Sequence, residues 1–224
     1  MTNSTPPIII AVDGTSGSGK SALAKGLAQR LGFSHFNSGL VYRMVAVEVA
    51  EKIDNNLEAC LKSLREAVVA YHPNQHVVFN GQDITDVTHS AYADHMTPAV
   101  AKIPAIREIV RTWQHEIVQR WGNSVVEGRD IGTVVFPDAR VKIYLEADIE
   151  KRTTWRYLQR KKKGAEEPLE RIREALKERD RMDIERPESG LRPAPDAYIL
   201  DASNKTQEEV LEEALRVVQT RLDH

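Results

Sequence analysis

The chain has 224 residues, a net charge of −2, 41% hydrophobic and 29% charged residues, and a single cysteine, Cys60. Such a length suits one ordinary domain with a sizeable core, and the composition excludes a disordered chain; the charge balance argues against generic nucleic-acid binding, and one cysteine excludes an intrachain disulfide. The longest apolar run, residues 8–12, is far too short to span a bilayer, and the MTNSTPP start lacks the basic and apolar regions of a secretory signal, so a cytoplasmic protein with no membrane partner is expected.

Residues 8–12 are apolar and β-branched and predict a buried strand. A Gly-rich turn follows, then a helix over residues 20–31. Residues 40–53 and 57–71 read as two more helices, with Cys60 a small buried residue on the second. Residues 76–84, HVVFNGQDI, place two short β-like runs around Asn80-Gly81, a strong hairpin signal. Residues 104–121 carry Ile106, Ile109, Val110, Trp113 and Ile117 at helical spacing. Strands are predicted at 124–127, 141–145 and 197–200, and helices at 148–163, 168–186 and 207–221. Strands alternating with helices imply a parallel sheet covered on both faces, an α/β fold.

Gly14-Thr15-Ser16-Gly17-Ser18-Gly19-Lys20-Ser21 matches the phosphate-binding loop G-x-x-x-x-G-K-[ST] at every fixed position, after a predicted strand and opening a predicted helix. Glycines let the backbone curl until successive N–H groups face a phosphate, and the helix N-terminus adds partial positive charge. Lys20 is expected at the β- and γ-phosphates and Ser21 at Mg²⁺, with Ala22 continuing the ATP-binding stretch. The loop alone leaves two classes open: a kinase for a small acceptor, or a nucleotide-state switch such as a GTPase. A GTPase needs an N/T-K-x-D guanine reader, and the nearest string, Asn204-Lys205-Thr206-Gln207, lacks the aspartate.

Three clusters look like an acceptor site. Asn37-Ser38-Gly39 with Tyr42-Arg43 opens a helix; Ser38 is equally readable as a plain N-cap. Glu127-Gly128-Arg129-Asp130 ends an apolar strand, where ligands bind in open α/β sheets; a structural Arg–Asp pair is the alternative. On the helix from Pro168, the apolar line Leu169, Ile172, Leu176 continues into Arg179, Asp183 and Arg186. Inward charges need partners, which a phosphate and a ribose would supply; a solvated salt-bridge face is the alternative. Arg152 and Arg156 share a helix face beside Lys161-Lys162-Lys163-Gly164 and form a candidate lid that excludes water from the γ-phosphoryl group, although a charge run is also an ordinary solvated face.

These strings together resemble bacterial cytidylate kinase, a P-loop nucleoside-monophosphate kinase family, over nearly the whole chain. The matching pieces are IAVDGTSGSGKS, NSGLVYR, IPAIRE, VVEGRDIGTVVFPDARVKIYLEA, KERDRMD with Arg186, and APDAYILDAS. The resemblance implies a P-loop NTPase-type domain over residues 1–224 with a five-stranded parallel sheet, a CMP-binding insert at about 67–100 and a lid at about 151–168. It implies γ-phosphoryl transfer from ATP with Mg²⁺ to CMP, and to dCMP, giving CDP and ADP in pyrimidine nucleotide metabolism. A monomer acting on small nucleotides is expected.

By position, the resemblance places Ser38, Tyr42, Arg43, Arg107, Arg129, Asp130, Arg179, Asp183 and Arg186 in the CMP site. Arg107 and Asp130 would help read cytosine, Arg179 and Asp183 would lie near the ribose, and Arg43, Arg129 and Arg186 would hold the phosphate. Lys20, Ser21, Arg152 and Arg156 look like the ATP, Mg²⁺ and lid residues. The sequence departs from the family pattern at Asn37 and Glu127, which replace aspartates, at Thr88-His89, which replace an Ile-Arg pair, and at Pro98, which replaces a base-reading serine with Thr97 as the nearest hydroxyl.

Overall fold

A computed structural model describes residues 6–53, 55–72, 76–162, 164 and 166–223. In chain order the first half gives β1 (Ile9–Gly14), α1 (Lys20–Leu31), β2 (Ser34–Asn37), α2 (Ser38–Val49), α3 (Leu57–Glu66), β3 (Val69–Tyr71), β4 (Val77–Phe79), β5 (Gln82–Asp83), α4 (Thr85–Thr88), α5 (Ala91–Val100) and α6 (Pro104–Trp121). The second half gives β6 (Ser124–Glu127), a π-helical turn (Ile131–Val135), β7 (Val141–Glu146), α7 (Ile149–Lys162), α8 (Leu169–Ile184), β8 (Tyr198–Asp201) and α9 (Gln207–Leu222). The fold is α/β, with a five-stranded parallel sheet in the order β2-β6-β1-β7-β8 and a separate sheet in the order β3-β4-β5. Two compact units divide the chain, one built on Ser34–Ser124 and the other on Ile8–Phe33 with Val125–His224.

In the second unit β1 and β7 are buried along nearly their whole length, whereas β8 at the sheet edge leaves Ile199 exposed. β1 pairs in parallel with β7 from Ile10↔Val141 to Gly14↔Leu145, and β7 pairs with β8 from Ile143↔Tyr198 to Glu146↔Asp201. Ile10, Val12, Ile143, Leu145 and Leu200 meet Leu23, Leu27, Val210, Leu215 and Val218 of α1 and α9 in one core. The helix α1 matches its predicted span because glycines punctuate both ends: Gly19 caps the start and Gly32 the finish, each with left-handed backbone. The apolar run of β1 is what a doubly covered parallel sheet requires, while β7 alternates apolar Val141, Ile143 and Leu145 with Lys142, Tyr144 and Glu146.

In the first unit, Phe36, Tyr71 and Trp121 pack edge-on and tilted with centroids 5.0 to 5.8 Å apart. The Asn80-Gly81 hairpin forms as predicted; both residues adopt positive φ, 49° and 82°, as a tight two-residue turn demands. The predicted helix over 57–71 is corrected: it ends at Glu66, and Val69–Tyr71 pairs antiparallel with Val77–Phe79, because the neighbouring hairpin offers a strand edge that outweighs local helical spacing. The predicted helix over 40–53 instead spans Ser38–Val49. Its cap is Asn37, whose side chain accepts the Gly39 amide at 3.0 Å, so Ser38 is the first helical residue and not the N-cap.

Candidate functional site

β1 delivers the chain into the phosphate-binding loop at Gly14. A side chain there is impossible, since a Cβ would stand 1.9 Å from the Leu145 carbonyl oxygen. Gly17 and Gly19 hold left-handed φ of 75° and 94°, so Thr15, Ser16 and Ser18 curl toward the start of α1. Gly19 caps that helix with no side-chain acceptor, so no side chain occupies the helix N-terminus, the kind of end that favours an anion. The Lys20 ammonium lies buried in the loop and donates to the Thr15 carbonyl at 2.6 Å. Burial pushes its pKa well below the ordinary lysine range, and the Arg129 guanidinium pushes the same way. The Thr15 hydroxyl is buried and has no hydrogen-bond partner among the described residues. Ser21 and Ala22 follow on the exposed side of α1, where the Ser21 hydroxyl donates to Glu127 Oε2 at 2.7 Å.

β6 ends in Glu127, and the Gly128 amide donates to the Val12 carbonyl at 3.0 Å, which lays the following turn against β1. Arg129 Nε donates to Asp183 Oδ2 at 2.7 Å. Asp130 is buried and opens the π-helical turn, its carbonyl accepting the Val134 and Val135 amides. Asp13 of β1 grips the same turn, with Oδ1 accepting the Ile131 amide at 2.8 Å and Oδ2 the Gly132 amide at 2.7 Å. Burial raises the Asp13 carboxyl to about 6, against the downward pull of those two amides.

Asp183 of α8 is the centre of an arginine cluster. Besides Arg129, it accepts from Arg186 Nη2, and Arg179 Nε lies 3.7 Å away. Burial alone would raise the Asp183 pKa, yet Arg129, Arg186 and Arg179 together hold it below the usual carboxylate value. The predicted line on α8 needs two corrections. Leu169 is 48% exposed and does not belong to the inward face. Asp180 does belong: the buried residues run Ile172, Leu176, Asp180, Asp183, a spacing of four, four and three that follows 3.6 residues per turn.

Asp180 was not singled out by the sequence, and it ties the loop to Arg152. Asp180 Oδ1 accepts the Ser16 amide at 3.0 Å, and Oδ2 accepts Arg152 Nη1 at 2.5 Å. Arg152 therefore is not part of a solvated run; it is buried at the base of α7 and also donates to the Ser16 and Ala147 carbonyls at 3.0 and 2.9 Å. Arg156 lies one turn on and is half-buried, while Lys161 and Lys162 are exposed as a solvated face would be; Lys163 lies outside the described residues. Beside the loop a cavity is lined by Ser18, Gly19, Ala22, Trp155, Lys205 and Leu211.

The first unit gathers the remaining predicted residues. On α2, Ser38 and Tyr42 are buried, and Arg43 pairs with Asp94 of α5 and donates to the Thr88 carbonyl at 3.5 Å. Arg107 of α6 stands 5.5 Å from the Tyr42 ring centroid, in cation–π range, and donates to the Ala101 carbonyl at 3.3 Å. Asp94 carried no signal in the sequence: α5 has a weak pattern and contains Pro98, so neither the helix nor its acid was legible. Thr88 and Thr97 turn their hydroxyls to backbone carbonyls of their own helices, at 2.7 and 2.6 Å.

The family model described as cytidylate kinase matches residues 10–220. Among curated relatives, a cytidylate kinase of Thermotoga neapolitana is 41% identical over 216 residues, covering 95% of this chain and 97% of that one. A cytidylate kinase of Geobacillus kaustophilus is 36% identical over 220 residues, covering 96% and 98%. Among solved structures, TT1252 from Thermus thermophilus superposes with a TM-score of 0.53 at 21% identity, covering 97% of this chain and 99% of that one, a likeness of fold.

Proposed function

The chain belongs to the cytidylate kinase family, a family of nucleoside-monophosphate kinases, and from that premise we propose that it transfers the γ-phosphoryl group of ATP to CMP and dCMP, yielding ADP and the corresponding diphosphate. The observation that carries this reading is the arrangement in the second unit. A phosphate-binding loop with a buried lysine lies in the same unit as Arg129, Arg186 and Arg179, gathered on Asp183. A switch protein has no use for a second set of phosphate-binding arginines.

The loop amides, Lys20 and Ser21 are proposed for the ATP phosphates, and the cavity beside Trp155 for the base. Arg129 and Arg186 would hold the acceptor phosphate, Arg179 and Asp183 would face the ribose, and Asp130 would help read the base. Ser38, Tyr42, Arg43 and Arg107 of the first unit are assigned to CMP as well, with the insert at 67–100 as the acceptor-binding part and residues 151–168 as the lid. Arg152 and Arg156 would neutralise charge on the transferred group. Mg²⁺ fits Ser21 and Glu127, a hydroxyl beside a carboxylate, which is the all-oxygen donor set such a cation takes when the nucleotide and water supply the rest. When bound, it would offset charge on the β- and γ-phosphates. Catalysis then consists of positioning and charge neutralisation, with the acceptor oxygen in line and no covalent enzyme intermediate.

A cytoplasmic monomer is the accompanying proposal; among the described residues no helix is long and apolar enough to cross a membrane. The test is ADP release with ATP and Mg²⁺ against a panel of nucleoside monophosphates. CMP and dCMP should be turned over well above AMP and GMP, and equal use of all four would overturn the assignment.

A further inference from the structure

We propose that Asp180 is a positioning residue for phosphoryl transfer, setting Arg152 and the donor loop in one arrangement; this rests on the kinase reading above. Asp180 and Arg152 close on the backbone of a single loop residue, Ser16, one at its N–H and the other at its carbonyl. The Ser16 N–H goes to Asp180 Oδ1 at 3.0 Å, the Ser16 carbonyl accepts Arg152 Nη1 at 3.0 Å, and the two side chains meet at 2.5 Å. The Ala147 carbonyl takes Arg152 Nε at 2.9 Å. These contacts use Nε and Nη1, which leaves Nη2 as the edge of the guanidinium able to meet a phosphate oxygen.

The bland alternative is an ion pair that merely joins α7 to α8. Two observations speak against it. Both partners are buried, at 8% and 12% side-chain exposure, and a buried ion pair is a poor source of stability because desolvation offsets its attraction. The pair also reaches beyond the two helices to the main chain of the phosphate-binding loop, and the fit there is close. A Cβ on Gly17 would stand 3.4 Å from Leu176 and 3.7 Å from the Arg152 Cβ. An arginine held on three sides meets a phosphate in one geometry, whereas an unrestrained one must be ordered at the moment of reaction. Asp180 touches no substrate in this scheme. It acts through Arg152 and Ser16.

The test is a double-mutant cycle on the full-length enzyme, with kcat and KM for ATP and CMP measured in wild type, Asp180→Asn, Arg152→Ala and the double variant. Asparagine keeps an acceptor for the Ser16 amide but loses the charge that aligns Arg152. Asp180→Asn should lower kcat about tenfold or more and leave the CMP KM within about twofold. In the Arg152→Ala background the same change should cost less than about twofold, because residues acting as a unit are not additive. Additive losses, or wild-type kcat in a folded Asp180→Asn enzyme, would overturn the proposal. Should Asp180→Asn fail to fold, Asp180→Glu takes its place in the cycle; it keeps the charge at a different reach and should show the same non-additivity. If wild type phosphorylates no nucleoside monophosphate, the kinase reading fails separately, and the cycle is read instead from affinity for a fluorescent ATP analogue. Weaker binding by Asp180→Asn that Arg152→Ala abolishes would support the positioning role, and unchanged affinity would end it.

Discussion

The Asp13 carboxylate and the Gly132 amide stand 2.7 Å apart although 119 positions separate them in the chain. With Ile131 as second donor, one side chain on the strand before the donor loop fixes the turn that presents Arg129 and Asp130. An ionised carboxylate satisfies both amides, whereas a protonated one has a single good acceptor left.

Activity should therefore fall as pH drops through about 6, the value to which burial raises this group. Asp13→Asn should show lower kcat and lose that limb of the profile. The acceptor phosphate also titrates near pH 6, but its limb persists in the variant. Stability moves the opposite way. A folded-state pKa above the unfolded value favours the fold at low pH, and the benefit is lost as pH rises from about 4 through 6. Relative to Asp13→Asn, wild type should lose about 2 kcal/mol between pH 4.5 and 7.5, measurable by urea unfolding at each pH.

Lys20→Ala should lower kcat by about 10²–10³-fold in an enzyme with wild-type circular dichroism. The lysine is held in the loop by the Thr15 carbonyl, so its charge is aimed before any nucleotide arrives. Near-normal turnover in a folded variant would remove the loop from the mechanism.

Asp183→Asn is a better probe of the acceptor site than alanine. Both substitutions remove the counter-charge of Arg129 and Arg186, and breaking a buried pair costs about 3–5 kcal/mol whatever the function, but asparagine keeps the side-chain shape and one acceptor for the guanidiniums where alanine leaves neither. Asp183→Asn should reduce kcat/KM for CMP and shrink any preference over dCMP, which offers one hydroxyl fewer. Arg186→Ala should weaken both substrates alike. Equal kcat/KM for CMP and dCMP across wild type and both variants would mark α8 as scaffold.

Gln114 of α6 is 1% exposed, and neither its amide nitrogen nor its oxygen has a hydrogen-bond partner among the described residues. An unsatisfied buried amide costs about 1–3 kcal/mol, so Gln114→Met, of similar volume, should raise unfolding free energy by about 1 kcal/mol. A fall in the urea midpoint would show that the amide has a role in holding the fold.

Local signals were legible wherever geometry leaves little choice. Gly19 and Gly32 bracket α1, Asn80-Gly81 turns the hairpin, and the loop motif sits between strand and helix as its chemistry requires. Long-range pairing was not legible. Residues Val69–Tyr71 look helical until β4 supplies an edge, and Asp13 reads as a strand end until residue 132 comes back to it. On α8, a step of three or four after Leu176 points to Arg179 or Asp180 with equal right. Only the position of Arg152 and Ser16 decides between them.

The spacing on α8 also limits how this gene can vary. Asp180 meets the Ser16 amide and Asp183 meets Arg129 and Arg186, so one helical turn carries a contact to each of the two proposed substrate sites. Each added residue turns a helix by about 100°. An insertion between Leu176 and Asp180 would swing both carboxylates off their targets in one event, while the apolar anchors Ile172 and Leu176 stayed in place. Length changes in this helix should be purged even where its exposed side chains drift freely, leaving a ruler of fixed length within an otherwise tolerant surface.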